Sequence, residues 1–261
     1  MTKEGLMIFA ISDIHGCYDL FMEKLKLIEP ELEDANNKLI LLGDYIYRGP
    51  DSFRCLEKAY SLQQRHGKEQ VIVLRGNHEE WFIDFLKGEG DEWLAEDRNY
   101  HTSKTFLTDA QYLELLSISS HQRRIEFIIR VIKENHKELL RWMVNLPYFY
   151  ETETQIFVHA GVDEEIPEEE MEYCTLCTAE YIFTGKVPPT VGRFYKTIIA
   201  GHIAAASVAH DAGWPGIYFD KQSHYYIDGG APKRKRLLCL VYDETSQTYY
   251  ELMSDGRKKK L

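Results

Sequence analysis

Short apolar runs that each end in a cluster of polar residues constrain this chain more than any other feature. In the first third, residues 6–11, 38–42 and 70–74 have the length and apolar character of buried β-strands. Segments with apolar residues at helical spacing separate these runs. Strands that alternate with helices predict a parallel sheet flanked by helices. We therefore expect an α/β fold.

The rest of the chain differs in pattern. Residues 155–159 and 197–200 predict a fourth and a fifth strand, and residues 216–252, rich in Tyr and β-branched side chains, predict several antiparallel strands. Between strands three and four, a charged helical stretch carries an apolar stripe made of Ile128, Val131, Ile132, Leu139 and Met143. We expect one domain, residues 1–261, with a helical insert at about 105–145. The insert could cap a site or pack on the sheet.

Composition narrows the class of protein. The chain has 261 residues, of which 44% are hydrophobic, so it can bury a large core and is not wholly disordered. Long apolar runs are absent and the first residues, Met1 to Gly5, lack a signal-peptide pattern, so we expect a cytoplasmic protein. The net charge of −11 argues against nucleic-acid and membrane partners, because an acidic surface repels phosphate groups. A small anionic ligand could still bind in a locally positive or metal-loaded pocket.

The five cysteines indicate reduced thiols, since an odd number does not suit a disulfide framework. Cys174 and Cys177 have the CxxC spacing of some zinc and redox sites. The chain has no second such pair and no thioredoxin-like context around this one. We therefore interpret them as ordinary thiols on a helix.

The polar clusters indicate a metal site. Ligands of open α/β sheets bind beyond the carboxyl ends of the strands, which is where all five clusters lie. Their carboxylate, amide and imidazole groups suit divalent Mn, Fe or Zn. Each motif alone is common, but five in order after five predicted strands favour one shared site. The candidate ligands are Asp13, His15, Asp44, Asn77, His159 and His202.

In chain order the clusters read DxHG, GDxxxRG, GNHE, HAG and GH. This order resembles the phosphoprotein phosphatase branch of the calcineurin-like metallophosphoesterases. Residues 226–231, YIDGGA, are also similar to a late strand of that family, so the resemblance extends from residue 8 to about residue 242. It implies an α/β fold of two packed mixed β-sheets flanked by helices, a four-layer sandwich.

The resemblance also implies a site with two divalent metal ions, for which manganese is the first expectation and iron or zinc the alternatives. The first ion would be held by Asp13 and His15, and Asp44 would bridge both ions. The second would be held by Asn77, His159 and His202. Such a pair clamps a phosphate and provides a metal-bridging hydroxide that attacks phosphorus.

Three of the motif residues would act on the substrate. Arg48 would grip the phosphate oxygens, Asn77 would also contact the substrate, and His78 would protonate the leaving oxygen as a catalytic acid. We therefore expect a serine/threonine-phosphatase-like hydrolase of phosphomonoesters, on a phosphoprotein or a small metabolite. The alternatives are a symmetrical dinucleoside polyphosphate hydrolase and a weakly active relative that binds a phosphorylated ligand. The oligomeric state is left open.

Two departures from the family pattern bear on activity. Tyr47 stands where the family has an Asp that orients the histidine matching His78. The enzyme could be slow, could serve a leaving group that needs little protonation, or could carry an altered residue here. Many members also have a second phosphate-gripping Arg, and the loosely matching residues 176–181 contain none.

Two basic runs have no place in these motifs. We interpret residues 233–236, KRKR, as the charged tip of a hairpin, and the alternative is a basic rim that attracts anionic substrates. We interpret residues 257–260, RKKK, as a solvated, frayed end.

Overall fold

The computed structural model describes residues 5–89, 93 and 97–261. Residues 1–4, on which the expectation about a signal peptide partly rests, lie outside these ranges. The strands are β1 (Met7–Ile11), β2 (Lys38–Leu41), β3 (Val71–Val73), β4 (Phe149–Glu151), β5 (Gln155–Val158), β6 (Thr197–Ala204), β7 (Tyr218–Phe219), β8 (His224–Asp228), β9 (Cys239–Asp243), β10 (Thr248–Leu252) and β11 (Lys258–Lys260). In the described ranges, no helix has the length and apolar character needed to cross a bilayer.

The α-helices of the described ranges are α1 (Tyr18–Ile28), α2 (Ser52–His66), α3 (Asn77–Lys87), α4 (Asp109–Ser117), α5 (His121–Asn135), α6 (Lys137–Val144), α7 (Cys174–Cys177), α8 (Glu180–Gly185), α9 (Ala205–Val208) and α10 (Ala231–Arg234). Short 3-10 turns lie at Glu31–Glu33, Arg98–Tyr100, Ser103–Phe106 and Glu168–Tyr173.

The strands form two mixed sheets, as the resemblance implies. The first has the order β11-β10-β9-β1-β2-β3, and the second has the order β4-β5-β6-β8-β7. Strands β1, β2 and β3 are parallel to one another. Strands β5, β6 and β8 are also parallel to one another. The two parallel sets supply the carboxyl ends that carry most of the polar clusters.

Successive side chains along the strands point to opposite faces of the sheets, and their packing forms the layers of the fold. Ile8 and Ala10 of β1 face the second sheet, where they pack in one core with residues such as Phe157 and Ile199. Side chains from the intervening positions of β1 and β2 pack instead against the helices on the outer face of the first sheet. A third cluster covers the outer face of the second sheet. The result is the expected helix–sheet–sheet–helix sandwich.

The helical insert packs on α2 and α3. Trp142 in α6 donates its indole N–H to Gln63 in α2 over 2.7 Å. The Phe106 ring lies 4.9 Å from the ring of Phe82 in α3. All five residues of the predicted apolar stripe are buried. These contacts place the insert on the helical layer that covers the first sheet, whereas the alternative of the sequence analysis had it packing on the sheet itself.

Two predictions about the basic runs are wrong. Residues 233–236 do not form a hairpin tip, because α10 and the turn after it connect β8 of one sheet to β9 of the other. The C-terminal residues are not frayed, because β11 pairs antiparallel with β10. This pairing satisfies backbone groups along an edge strand, and its exposed lysines keep that edge solvated. The strand positions otherwise agree with the structure within a few residues, except that β4 was not predicted. Within residues 216–252, where antiparallel strands were expected, β8 pairs parallel with β6.

Candidate metal centre

The polar clusters converge at one edge of the sandwich, where the parallel strands of both sheets end. Residues that follow β1, β2 and β3 approach from the first sheet. Residues that follow β5 or lie within β6 approach from the second. The structure brings together all the predicted ligands and His78, which are buried except for the half-buried His202.

Asp44 lies at the centre of the cluster. Its Oδ2 atom is 3.6 Å from His15 Nε2, 3.5 Å from His159 Nε2 and 3.8 Å from His78 Nε2. Asp13 lies on the side of His15, with 3.7 Å between Asp13 Oδ1 and His15 Nε2. One carboxylate oxygen is therefore within reach of ligand atoms on both sides.

Two sets of ligand atoms lie close enough to hold a cation. Atoms of Asp44, His159 and His202 are within 4.8 Å of one another, as are atoms of His15, Asp44 and His78. The first set matches three of the four ligands expected for the second metal. The second set contains His78 where the resemblance implies Asp13, so the structure offers both side chains near His15.

The hydrogen bonds of the ligands direct two imidazole nitrogens at one amide oxygen. His159 donates from Nδ1 to the carbonyl oxygen of Leu42 over 2.9 Å, which turns Nε2 toward the cluster. That Nε2 atom is 3.1 Å from Asn77 Oδ1, and His202 Nδ1 is 3.1 Å from the same oxygen. An unprotonated nitrogen would repel this oxygen, so each contact is held either by a proton on the imidazole or by a cation bound between the two atoms.

The buried carboxylates of the cluster require a compensating positive charge beside them. Burial raises the pKa of Asp13 to about 6, and the neighbouring Asp44 carboxylate acts in the same direction. Burial opposes ionisation of Asp44 as well, but the surrounding imidazoles, His159 foremost, hold its pKa well below the usual range. Burial alone would lower the pKa of His159, but Asp44, Asp13 and Glu79 raise it to about 10. The donor set therefore fits divalent cations, which would neutralise the buried carboxylates.

The backbone around the cluster is strained. Several of its non-glycine residues have left-handed backbone conformations, which are uncommon for residues with a Cβ and concentrate at functional sites. They are Asp13 (φ 54°), His15 (φ 46°), Asp44 (φ 57°), Tyr47 (φ 79°), Arg48 (φ 67°) and His202 (φ 62°).

Two glycines make room for the carboxylates. A Cβ on Gly76 would lie 2.2 Å from Asp44 Oδ1, and one on Gly201 would lie 2.2 Å from Asp13 Oδ2. Neither position tolerates a side chain while the neighbouring carboxylate keeps its place. The glycines of the GNHE and GH motifs are therefore required by close approach.

Glu79 is a supporting residue whose role the sequence reasoning missed. It is fully buried, and its carboxylate accepts hydrogen bonds from the backbone N–H groups of Asp44 (2.8 Å), Tyr45 (2.9 Å) and Gly76 (3.0 Å). These bonds fix the loop that carries Asp44 against the start of α3. An acidic residue beside the candidate ligands in a GNHE motif was the available signal.

Asp228 is a second residue that was not predicted as part of the site, although residues 226–231 resemble a late strand of the family. It ends β8 and is buried near Asp13 and His15. Burial, together with the Asp13 carboxylate, raises its pKa to about 7. The available signal was its place directly after the apolar residues 225–227, as in the other polar clusters, whereas the parallel pairing of β8 with β6 is seen only in the fold.

His78 lies in an aromatic enclosure. The Tyr47 ring stacks on the imidazole with 4.4 Å between centroids and 19° between planes, and Trp81 meets it edge-on at 4.8 Å. Burial lowers the pKa of His78 to about 3 although Asp44 opposes the shift. Its Nδ1 atom is buried without a hydrogen-bond partner among the described residues. Tyr47 therefore provides no carboxylate at Nδ1 of His78, whereas the resemblance implies an Asp at this position.

Arg48 stands at the mouth of the centre. Its side chain is exposed, and Nη1 lies 3.4 Å from His15 Nε2. It borders a cavity of about 790 Å³ that also contacts His202 and Asp228. That volume is within the range of small-molecule sites. A ligand that occupies this cavity can therefore contact Arg48 and His202.

The residues that loosely match the family's second arginine lie away from the Arg48 cavity. Residues 176–181 are on the outer side of the second sheet, where Leu176 and Tyr181 are largely exposed, and they do not border the Arg48 cavity. At the two ends of the neighbouring helix α7, Cys174 is buried and Cys177 is exposed, and both are free thiols. The cavity is instead lined by Lys233 and Arg234 from the basic run.

Comparisons with known proteins identify the family of this chain. The model of the calcineurin-like phosphoesterase family matches residues 6–204, which is most of the chain. The symmetrical bis(5'-nucleosyl)-tetraphosphatase of Buchnera aphidicola (subsp. Schizaphis graminum) is 32% identical over 112 residues, which are 43% of this chain and 37% of the relative. Serine/threonine-protein phosphatase 1 of Salmonella typhimurium is 28% identical over 131 residues, which are 50% of this chain and 55% of the relative.

These matches are partial, because the chain spans about a third to just over half of the length of the two relatives. Among solved structures, the cold-active protein-tyrosine phosphatase of a psychrophilic Shewanella superposes with a TM-score of 0.56. That likeness covers all of this chain and 82% of the other at 16% identity, so it concerns the fold.

Proposed function

Since the chain belongs to the calcineurin-like phosphoesterase family, we propose that it is a two-metal hydrolase for phosphate compounds whose leaving group departs as a weakly basic anion. Aryl phosphates and phosphoanhydrides are such compounds. Membership in the family supports a metal-dependent phosphoesterase. The nature of the leaving group is the finer part of the proposal, and the environment of His78 carries it.

The first ion would be held by Asp13, His15 and Asp44. The second would be held by Asp44, Asn77, His159 and His202. When bound, the two ions would supply Lewis acidity, which neutralises phosphate charge and lowers the pKa of water. The imidazole nitrogens that face Asn77 Oδ1 and the buried carboxylates beside them support this assignment.

Arg48 would bind the phosphate. Its guanidinium is exposed at the mouth of the centre, within 3.4 Å of His15, so it can reach oxygen atoms of a phosphate there. A planar guanidinium can donate two parallel hydrogen bonds to two such oxygens. Arg48 would thus orient the phosphorus for attack and neutralise charge in the transition state.

The leaving group is inferred from His78. A general acid must hold a proton at neutral pH and be oriented by a partner. His78 is buried, its pKa is lowered to about 3, and its Nδ1 atom has no hydrogen-bond partner among the described residues. It is therefore poorly suited to protonate an alkoxide. A nitrophenolate or a phosphate leaves without that proton, so substrates of this kind suit the site.

The dinucleoside polyphosphates cleaved by the tetraphosphatase relatives contain such a phosphoanhydride. This favours the alternative of the sequence analysis, a dinucleoside polyphosphate hydrolase, over phosphoserine as substrate. The similarity to serine/threonine-protein phosphatase 1 keeps the phosphoprotein as the second candidate.

A comparison of three substrates with the manganese-loaded protein tests the proposal. We expect turnover of 4-nitrophenyl phosphate and of a dinucleoside tetraphosphate, and at least tenfold lower kcat/KM for a phosphoserine peptide. Removal of metal with a chelator should abolish all three activities. A phosphoserine peptide that is the best substrate would refute the leaving-group inference. A protein that binds two ions but turns over none of the three would identify a binding relative.

A further inference from the structure

The cavity beside Arg48 is more basic than the chain as a whole. The protein carries a net charge of −11. The cavity is lined by three cationic side chains and two carboxylates, together with small apolar residues from β6 and α9. The cations are Arg48, Lys233 and Arg234, and the carboxylates are Asp211 and Asp228. This is the locally positive pocket through which an acidic protein can bind an anion.

Arg234 fixes the geometry of the basic side of the cavity. Its guanidinium donates to the carbonyl oxygens of Ala212 (3.0 Å) and Trp214 (2.9 Å). These bonds tie α10 to the loop on the opposite side of the cavity. Lys233, the preceding residue, lines the cavity and is exposed. Its backbone N–H donates to the carbonyl oxygen of Gly230 over 3.1 Å. In the described parts of the chain its ammonium group forms no ion pair or hydrogen bond, so that group is available to a ligand.

The two carboxylates of the cavity are engaged by their own turns. Asp211 accepts a hydrogen bond from the backbone N–H of Gly213 over 2.8 Å. Asp228 accepts one from the backbone N–H of Gly230 over 2.6 Å. Neither is paired with Lys233. Arg48 and Lys233 therefore line the same cavity, and Arg48 is the one that also lies beside a predicted metal ligand, 3.4 Å from His15.

We propose that Lys233 binds a second phosphate group, joined to the phosphate that is cleaved, so that the preferred substrates carry a polyphosphate chain. This inference rests on the proposed function, since it assigns the far end of the same site. A single phosphate held between the metal ligands and Arg48 would not reach the rest of a cavity of about 790 Å³. A second phosphate would extend into it and pair with the free ammonium group. This polyphosphate chain could be part of a nucleotide or of inorganic polyphosphate.

The test is Lys233→Gln, with Lys235→Gln as the matched control. Lys235 belongs to the same basic run but lines a different cavity, beside Leu20 and Glu23. Both variants lose one positive charge, so general electrostatic attraction falls equally. The kcat/KM is measured with 4-nitrophenyl phosphate, a dinucleoside tetraphosphate and inorganic tripolyphosphate. The affinity for imidodiphosphate, which resists hydrolysis, is measured by calorimetry.

For Lys233→Gln we expect the ratio of kcat/KM for the tetraphosphate to that for 4-nitrophenyl phosphate to fall about fivefold or more, the effect of a lost charge-assisted contact. The affinity for imidodiphosphate should weaken by a similar factor, and neither quantity should change in Lys235→Gln. Equal losses on all substrates, or equal effects of both variants, would overturn the proposal. A parallel loss for tripolyphosphate would indicate that the phosphate chain alone is recognised. If the wild-type protein turns over the tetraphosphate but not tripolyphosphate, the phosphate chain belongs to a nucleotide. If it turns over both and Lys233→Gln affects only the tetraphosphate, the proposal is overturned.

The failure of this inference is distinguishable from failure of the proposed function. If the wild-type protein hydrolyses 4-nitrophenyl phosphate but Lys233→Gln binds imidodiphosphate normally, the second-phosphate site is refuted and the hydrolase stands. If the wild-type protein hydrolyses nothing, the calorimetric comparison of the two variants still decides whether Lys233 binds a second phosphate.

Discussion

The substitution Tyr47→Asp examines the feature in which this chain departs most from its family. It would replace the ring that stacks on His78 by a carboxylate beside the imidazole, whose Nδ1 atom has no partner in the described structure. A carboxylate there can accept a hydrogen bond from Nδ1 and stabilise the protonated imidazole. His78 would then be oriented and able to donate a proton.

The size of the effect depends on the leaving group. General acid catalysis contributes roughly 10²–10⁴-fold when the group is well placed. A carboxylate grafted onto this loop would recover only part of this, so we expect a rise of about tenfold or more in kcat for a phosphoserine peptide. For 4-nitrophenyl phosphate, which leaves without a proton, we expect a change of less than about twofold. Loss of the stacked ring should destabilise the protein by about 1 kcal/mol.

The pH dependence has a defined sign. Burial lowers the pKa of His78 to about 3, so its imidazole is neutral across the usual assay range. A neighbouring carboxylate raises that pKa, which keeps the acid form populated to higher pH. The alkaline limb of the pH–rate profile for the phosphoserine peptide should therefore move upward. Profiles of both substrates between about pH 5 and 9, where a histidine ordinarily titrates, measure the shift.

Two control variants separate the effect of the new negative charge at position 47 from the effect of losing the ring. Tyr47→Asn opens the same space without a negative charge and should give little of the gain. Tyr47→Phe keeps the stacked ring and supplies no carboxylate, so it should give none of the gain for the phosphoserine peptide relative to 4-nitrophenyl phosphate. Equal effects of Tyr47→Asp on both substrates would refute the reasoning, since they would show that position 47 does not act through proton donation. A loss of activity would mean that Tyr47 serves the enzyme's own substrate directly.

Three further substitutions test other parts of the centre. Arg48→Lys keeps the charge but loses the two-pronged donor, so kcat/KM should fall by roughly tenfold while metal content stays unchanged; unchanged kinetics would assign Arg48 to structure. Asp44→Asn should remove most bound metal and essentially all hydrolysis, measured by elemental analysis and turnover of 4-nitrophenyl phosphate, and survival of both would contradict its bridging role. Gly76→Ala places a Cβ 2.2 Å from Asp44 Oδ1, so metal affinity should fall at least tenfold, and a normal affinity would show that the carboxylate can move aside.

Much of the fold could be predicted because alternation and polarity are local signals. The strands that carry the ligands are short apolar runs followed by polar residues, so their positions follow from the sequence within a few residues, although β6 continues past His202 to Ala204. The antiparallel strand β4 was missed because its three residues are half-buried and give no clear alternation. The strand β11 was missed because Lys258 and its neighbours are as hydrophilic as a free terminus, while the pairing that orders them lies in β10.

The candidate site could be predicted as a set of residues but not as a geometry. The motifs identify Asp44 and its neighbours, whereas the strained backbone and the role of Glu79 depend on contacts between loops that are distant in sequence. The stack of Tyr47 on His78 is likewise a property of the folded loops. The basic run was misread because a row of charges does not reveal whether its side chains face solvent or a cavity. Lys233 and Lys235 are two residues apart and line different cavities.

The central claim is that two metal ions share Asp44. Anomalous scattering from crystals grown with manganese tests it most directly, because it locates the ions without reference to activity. We predict two peaks on either side of the Asp44 carboxylate, one beside Asp13 and His15 and the other beside Asn77 and His159. A single peak, or a peak bound by His78 in place of Asp13, would contradict the account.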